Sequence, residues 1–309
     1  MNAAPALLGY AAAVGILAPR LMARDNWTHR APALAVTVWL TLAGSFSLCL
    51  ALGALHLATP HAHLHGVIYT CRVALGIDSP SSAVPDYAGH AAAGTVAAAL
   101  VTAFALCVRR ARAIRSRHRR VLDLVGRPSA ELRATVLEHA APVAYCLPGH
   151  RPRIVVSTGA VTLLSGKQLD AVLEHERAHV AGRHHLVLAA VEAFAAVFRR
   201  LPLAAVMRRH VPLLLEMVAD DRALRGAERD VLATAMYEMA AAAVPEGALG
   251  AGGQSVVVRL QRILAPARST NLAARACIVA SALLVALLPV LVVCPPALVP
   301  GVDLTLLPR

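Results

Sequence analysis

The chain is 309 residues long, 58% hydrophobic and only 16% charged, with a positive mean hydropathy. That balance excludes an ordinary soluble protein and indicates a membrane protein with room for one large or two ordinary domains. A net charge of +12 would suit nucleic acid, but in so apolar a chain the excess arginine is read as anchoring loops, so no direct nucleic-acid contact is expected.

Four apolar stretches in chain order are long enough, or nearly so, to cross a bilayer: Ala3 to Ala18, Ala33 to Leu57, Ala88 to Val108 and Ala276 to Cys294. The first has no basic start, so it is read as an anchor rather than a cleaved signal peptide. Arg20, Arg24 and Arg30 follow the first stretch, and the run "RRARAIRSRHRR" at 109–120, with seven arginines, follows the third. By the positive-inside rule these segments are cytoplasmic, while both termini and the loop 58–87 face outside the plasma membrane. The expected organisation is three transmembrane helices in 1–108 with outer loop 58–87, a cytosolic domain in 109–272, and a fourth helix with a short outer tail in 273–309. His56, at the end of the second stretch, and His61, His63 and His65 in that loop are read as a polar, histidine-rich segment rather than a metal sensor. The six cysteines form no C-x-x-C pair, so neither a disulfide framework nor a thiolate metal cluster is signalled; Cys146 near His150 is only a weak hint of a thiol nucleophile.

The polar segment opens with "AELRATVLEHAAPV", which has helical character. Two short strands, Val143–Leu147 and Arg153–Ser157, are expected next, joined by a Pro/Gly turn. Ser165-Gly-Lys-Gln168 is a capping box and opens a helix that runs into "LEHERAH". The later run "LVLAAVEAFAAVF" from Leu186 carries Glu192 and is too short to span, so it is read as a buried helix or one lying on the membrane face.

That capped helix carries the chemistry. His175 and His179, at i and i+4, point both imidazoles the same way, which suits two ligands of a tetrahedral zinc ion. Glu176 flanks that face, where it can take a proton from water without ligating the metal. A catalytic zinc needs a third protein ligand, and two candidates exist. Gly182 and His185 complete the longer metzincin pattern, H-E-x-x-H-x-x-G-x-x-H. Glu216 in "PLLLEMVADDRA" is the other, with Asp220 one turn on to orient a ligand histidine. If the helix runs on through Gly182, His185 lies roughly 15 Å along the axis from His175, too far to share a metal. Glu216 is therefore the expected ligand, and the metzincin match is read as accidental. Tyr237 and His210 are candidate donors to a reaction oxyanion, with no spacing to choose between them. Asp123, Glu131, Glu138 and Glu192 are read as solvated or capping charges.

The combination "YCLPGHRPRIVVSTGAVTLL", "DAVLEHERAH" and "EMVADDRA" resembles the BlaR/MecR-type membrane zinc metallopeptidases, in particular short actinobacterial-like members. The resemblance implies a mainly α integral membrane protein of about four transmembrane helices, with a cytosolic gluzincin-like peptidase domain carrying a small β-hairpin or sheet. It implies one catalytic Zn2+ held by His175, His179 and Glu216, with Glu176 as base and Asp220 in support. It also implies a substrate-receiving edge strand at Ile154, Val155, Val156 and Ser157. His184 stands where relatives often carry Asp, and no penicillin-binding sensor follows the last apolar stretch, so direct β-lactam sensing through such a domain is not expected.

The resulting expectation is a membrane-embedded zinc endopeptidase that relays a signal by cleaving itself or a cytosolic protein, such as a winged-helix transcriptional repressor. The alternatives are a quality-control protease of the HtpX kind and a non-proteolytic, metal-responsive membrane receptor.

Overall fold

Alanine and leucine dominate the apolar stretches, and in the computed structural model each stretch is helical, as their propensities favour. The structure describes residues 4–24, 27–58, 87–243, 253–265 and 271–293. His61, His63 and His65, the loop from Pro245, Cys294 and the C-terminal tail lie outside the described residues. The chain begins with α1 (Ala4–Ile16), α2 (Ala18–Arg24), α3 (Trp27–Arg30), α4 (Pro32–Ala58) and α5 (Tyr87–Val125). A sheet follows: β1 (Gly126–Ser129), β2 (Ala134–Leu137), β3 (Ala144–Leu147) and β4 (Arg153–Ser157). Then come α6 (Thr158–Leu163), α7 (Gly166–Ala181), α8 (His184–Val197), α9 (Pro202–Ala223), α10 (Arg229–Ala243), α11 (Gly253–Leu264) and α12 (Leu272–Val293).

Among the described residues, four helical stretches are long and apolar enough to cross a membrane: Ala4–Met22, Pro32–Leu57, Ala93–Val125 and Leu272–Val292. The 39-residue α5 is roughly 58 Å long at 1.5 Å per residue, well beyond a hydrocarbon core of about 30 Å. Its arginine-rich half is thus a rigid extension of its apolar half. Pro289 inside α12 supplies no N–H to the carbonyl of Val285, four residues back. The hydroxyls of Tyr10 (3.0 Å) and Ser45 (2.8 Å) donate to that carbonyl and tie α12 to α1 and α4. In an apolar setting an unsatisfied carbonyl is costly, so these two bonds fix where the helices meet.

The largest core cluster joins α1 and α4 to α8 and α9. Trp39, Leu203, Met207, Val211, Leu214 and Met217 are all at most 2% exposed. Phe46 of α4 stacks edge-on to Phe194 and Phe198 at 6.0 and 5.1 Å. Each large side chain buried this way contributes about 1.5–3 kcal/mol. The helix from Leu186 thus buries one face, through Val191, Phe194 and Ala195, on the apolar bundle and α9, while Leu188 and Glu192 stay exposed.

The sheet has the order β1-β2-β4-β3, with β2 parallel to β4 and the other pairs antiparallel. The expected strands at 143–147 and 153–157 are present and paired, Ala144 opposite Val156 and Leu147 opposite Arg153. Two expectations fail. The segment 130–143 is not helical: it turns at Arg133 (φ 48°) and pairs as β2 with β4, Val136 opposite Val156. The β-branched pair Thr135-Val136 and the ladder it gains along β4 override the local helical character. Second, Ile154, Val155, Val156 and Ser157 are not an edge strand, because β4 lies between β2 and β3. Val156 packs with Leu169 and Leu173 of α7, and Val155 with Leu122 of α5 and Leu147. A strand covered on both faces is an inner strand. On this side of the sheet the edge is β3.

Candidate metal centre

The capping box at the start of α7 is formed: the Ser165 hydroxyl accepts from the Gln168 amide, and the Gln168 side chain accepts from the Ser165 amide at 2.7 Å. Leu169, Val172 and Leu173 pack under the sheet, which fixes the rotation of α7 about its axis. That rotation turns His175 and His179 toward α9, which runs alongside.

Three side chains converge there. His175 Nε2 and His179 Nε2 are 3.1 Å apart, and each lies 3.4 Å from an oxygen of Glu216. Bonds of about 2.0–2.1 Å at tetrahedral angles demand ligand separations of roughly 3.3 Å, close to these three distances, with His175 facing Oε2 and His179 facing Oε1 of the Glu216 carboxylate. Among the described residues, this is the group of three or more His, Cys, Asp or Glu side chains whose ligand atoms all lie within 4.8 Å of one another.

Behind the triangle sits a charged chain. His175 Nδ1 is 3.0 Å from Asp220, which is fully buried. Arg259 of α11 donates to both oxygens of Asp220 (2.8 and 2.6 Å) and approaches Glu216 at 2.9 Å. Burial pushes the His175 pKa down, but the carboxylates of Asp220 and Glu216 beside it outweigh that and hold it up to about 9. Metal binding there must displace a proton. Burial also opposes ionisation of Glu216, yet His175, His179 and the Arg259 charge hold its carboxyl well below the usual range. Glu176 differs: burial raises its carboxyl, and the neighbouring imidazoles only partly offset it. A carboxylate shifted upward is a better proton acceptor, as a general base needs to be.

The helix does break after Gly182. Arg183 adopts a left-handed conformation (φ 49°, ψ 36°), and α8 leaves at 55° to α7. The expectation of a continuous helix fails, yet among the described residues His185 is not in the group of converging ligand atoms; its pKa is lowered by burial and then by Arg115, Arg183 and Arg112. Instead His184, 6% exposed, sets its Nδ1 2.8 Å from Nδ1 of His179. Burial pushes the pKa of His184 down to about 4, so its ring is neutral.

A cleft of about 380 Å³ opens beside His175 and Glu176, lined by Val143 and Ala144 at the start of β3, Met236 and Met239 of α10, and Arg259. Neither candidate oxyanion donor lines it. Tyr237 is 64% exposed, and His210 faces Trp39, with ring centroids 6.3 Å apart. Cys146 is in contact with Glu176, and its thiol is pushed up to about 12 by burial and then by that carboxylate, the opposite of what a nucleophile requires. Asp123, Glu138 and Glu192 pair with Arg153, Arg127 and Arg208 on exposed surfaces, as solvated charges do.

Of the residues around the centre, Arg259 escapes motif reading, and His184 is marked in the sequence only as the position where relatives often carry Asp. Arg259 sits in "VVVRLQR", separated from α9 by α10, and no spacing links it to Asp220. In the fold, His184 directly follows the Gly182-Arg183 break.

Residues 108–219 match the model of Peptidase family M48. The match contains His175, Glu176, His179 and Glu216, so this segment is similar to the M48 metallopeptidases; the BlaR/MecR-type resemblance is not confirmed by it. Searches of curated proteins and of solved structures found no match.

Proposed function

We propose that the protein is a membrane-anchored zinc endopeptidase whose active site faces the cytoplasm. The observation that carries this reading is the His175–His179–Glu216 group, with the two Nε2 atoms 3.1 Å apart and each 3.4 Å from a different oxygen of Glu216, beside the half-buried Glu176 carboxylate of raised pKa. Two imidazoles and one carboxylate at tetrahedral spacing are a donor set that zinc favours. Zinc held there supplies Lewis acidity toward a peptide carbonyl. Glu176 takes the proton of the attacking water and returns it to the leaving amine. Asp220, steadied by Arg259, keeps the Nδ1 proton of His175 in place so that Nε2 faces the metal.

Substrate backbone is received along β3, the edge strand, rather than along β4. The register with β4 leaves the outward amides and carbonyls of Ala144 and Cys146 available for pairing. The cytoplasmic orientation rests on the seven arginines of 109–120. The packing of α8 and α9 against α1 and α4 supports a signalling role, since displacement of those helices would be felt at Glu216. A cytosolic repressor, or the protein itself, is the proposed substrate, in keeping with the BlaR/MecR resemblance.

Purified full-length protein in detergent should cleave a mixed peptide library, stop on addition of a zinc chelator, and recover with added zinc. Cleavage that ignores the chelator would refute the reading. A reporter fused after residue 130 should behave as cytoplasmic.

A further inference from the structure

We infer that His184 is the positioning residue of His179, holding the second ligand imidazole as Asp220 holds the first. The inference rests on the metal centre proposed above. His179 gives Nε2 to the triangle, which leaves Nδ1 as its second ring nitrogen. For Nε2 to offer a lone pair, the ring proton must sit on Nδ1 and needs an acceptor. Nδ1 of His184, 2.8 Å away, supplies it. The two rings are nearly perpendicular (89°), with centroids 4.8 Å apart, an edge contact rather than a stack.

The backbone is shaped around this contact. On a straight helix, residue 184 would lie about 140° around the axis from residue 179, facing elsewhere. The Gly182-Arg183 break bends the chain by 55° between α7 and α8, through a left-handed conformation in a residue that carries a Cβ. Gly182 is required by the same contact: a Cβ there would lie 2.5 Å from Nε2 and 2.6 Å from Cδ2 of His184. The glycine that mimics the metzincin pattern is therefore explained by the seat of His184, not by delivery of His185.

The test is zinc affinity, measured by competition with a chromogenic chelator on the purified full-length protein, which does not depend on catalysis. Removing such an outer partner weakens metal binding by about 10- to 100-fold. His184→Ala should show that loss, as should His184→Leu, which keeps bulk without an acceptor and serves if the alanine variant fails to fold. His184→Asp should restore affinity to at least the parent level, because Oδ1 branches from Cγ as Nδ1 does. Cobalt-loaded protein should show the same order as a shift and restoration of its visible bands. Parent-like affinity in the acceptor-less variants would overturn the inference. Weak binding that His184→Asp fails to rescue would reduce His184 to packing and overturn it too. Glu216→Ala separates the two claims: if it alone keeps tight zinc binding, the proposed centre fails, whereas loss there with parent-like His184 variants sinks only this inference.

Discussion

The two candidate ligand imidazoles are held by different means. His175 is backed by a charged chain, Asp220 and then Arg259, in which Asp220 is fully buried and the guanidinium reaches forward again to Glu216. His179 is backed by one neutral ring from a residue just past a helix break. The first arrangement draws three helices together, α7, α9 and α11, while the second is local to α7 and α8. Charged partners in a buried setting are strong only as a complete set, because removing one strands the rest. A neutral pair carries no such penalty, so the His175 flank should be brittle and the His179 flank tolerant.

Installing the same amide on both flanks tests that difference with the largest effect. Asp220→Asn removes the anion that Arg259 and His175 share and should lower stability by roughly 3–5 kcal/mol. His184→Asn exchanges one neutral acceptor for another and should cost no more than about 1 kcal/mol. Thermal unfolding in detergent measures both, and equal losses would break the comparison.

Arg259→Lys is a milder probe of the charged flank. Lysine keeps the charge but cannot hold Asp220 with two parallel bonds and touch Glu216 as well. A loss of about 1.5–3 kcal/mol is expected, with peptide cleavage reduced more than zinc content. A fully active, fully stable variant would show that the fork geometry is dispensable.

The pH profile gives the smallest signal. Glu176 must be ionised to act as base, and burial raises its pKa, so activity should fall as pH drops through a value above the ordinary glutamate of about 4.3. The acid limb should stay in place in His184→Asn, whose change lies on the other side of His179. An acid limb at or below the ordinary glutamate value in the parent would contradict the buried base.

Much of this site was legible in the sequence because it is written in helical spacing. The capping box, the His175/His179 pair and the Glu216/Asp220 pair each repeat at one turn, and each turn is fixed by the apolar residues beneath it. The sheet was harder to read. "IVV" is a continuous apolar run, the mark of a strand covered on both faces, yet β4 was expected at an edge. Segment 130–143 has helical character but becomes β2 through pairing with residues some twenty positions later in the chain. Contacts between separate elements, such as Arg259 with Asp220, leave no periodic trace. The helix break was the subtlest: a glycine permits it, but the reason for it is the ring of His184, which only the folded chain reveals.

The central claim, that this is a metal-dependent hydrolase with Glu176 as base, is tested most directly by Glu176→Gln. Zinc content and cleavage of a peptide substrate should be measured on the same purified, full-length preparation. The account predicts one zinc per chain, as in the parent, with cleavage lowered by about 10²- to 10⁴-fold. Cleavage at the parent rate with zinc bound would contradict it.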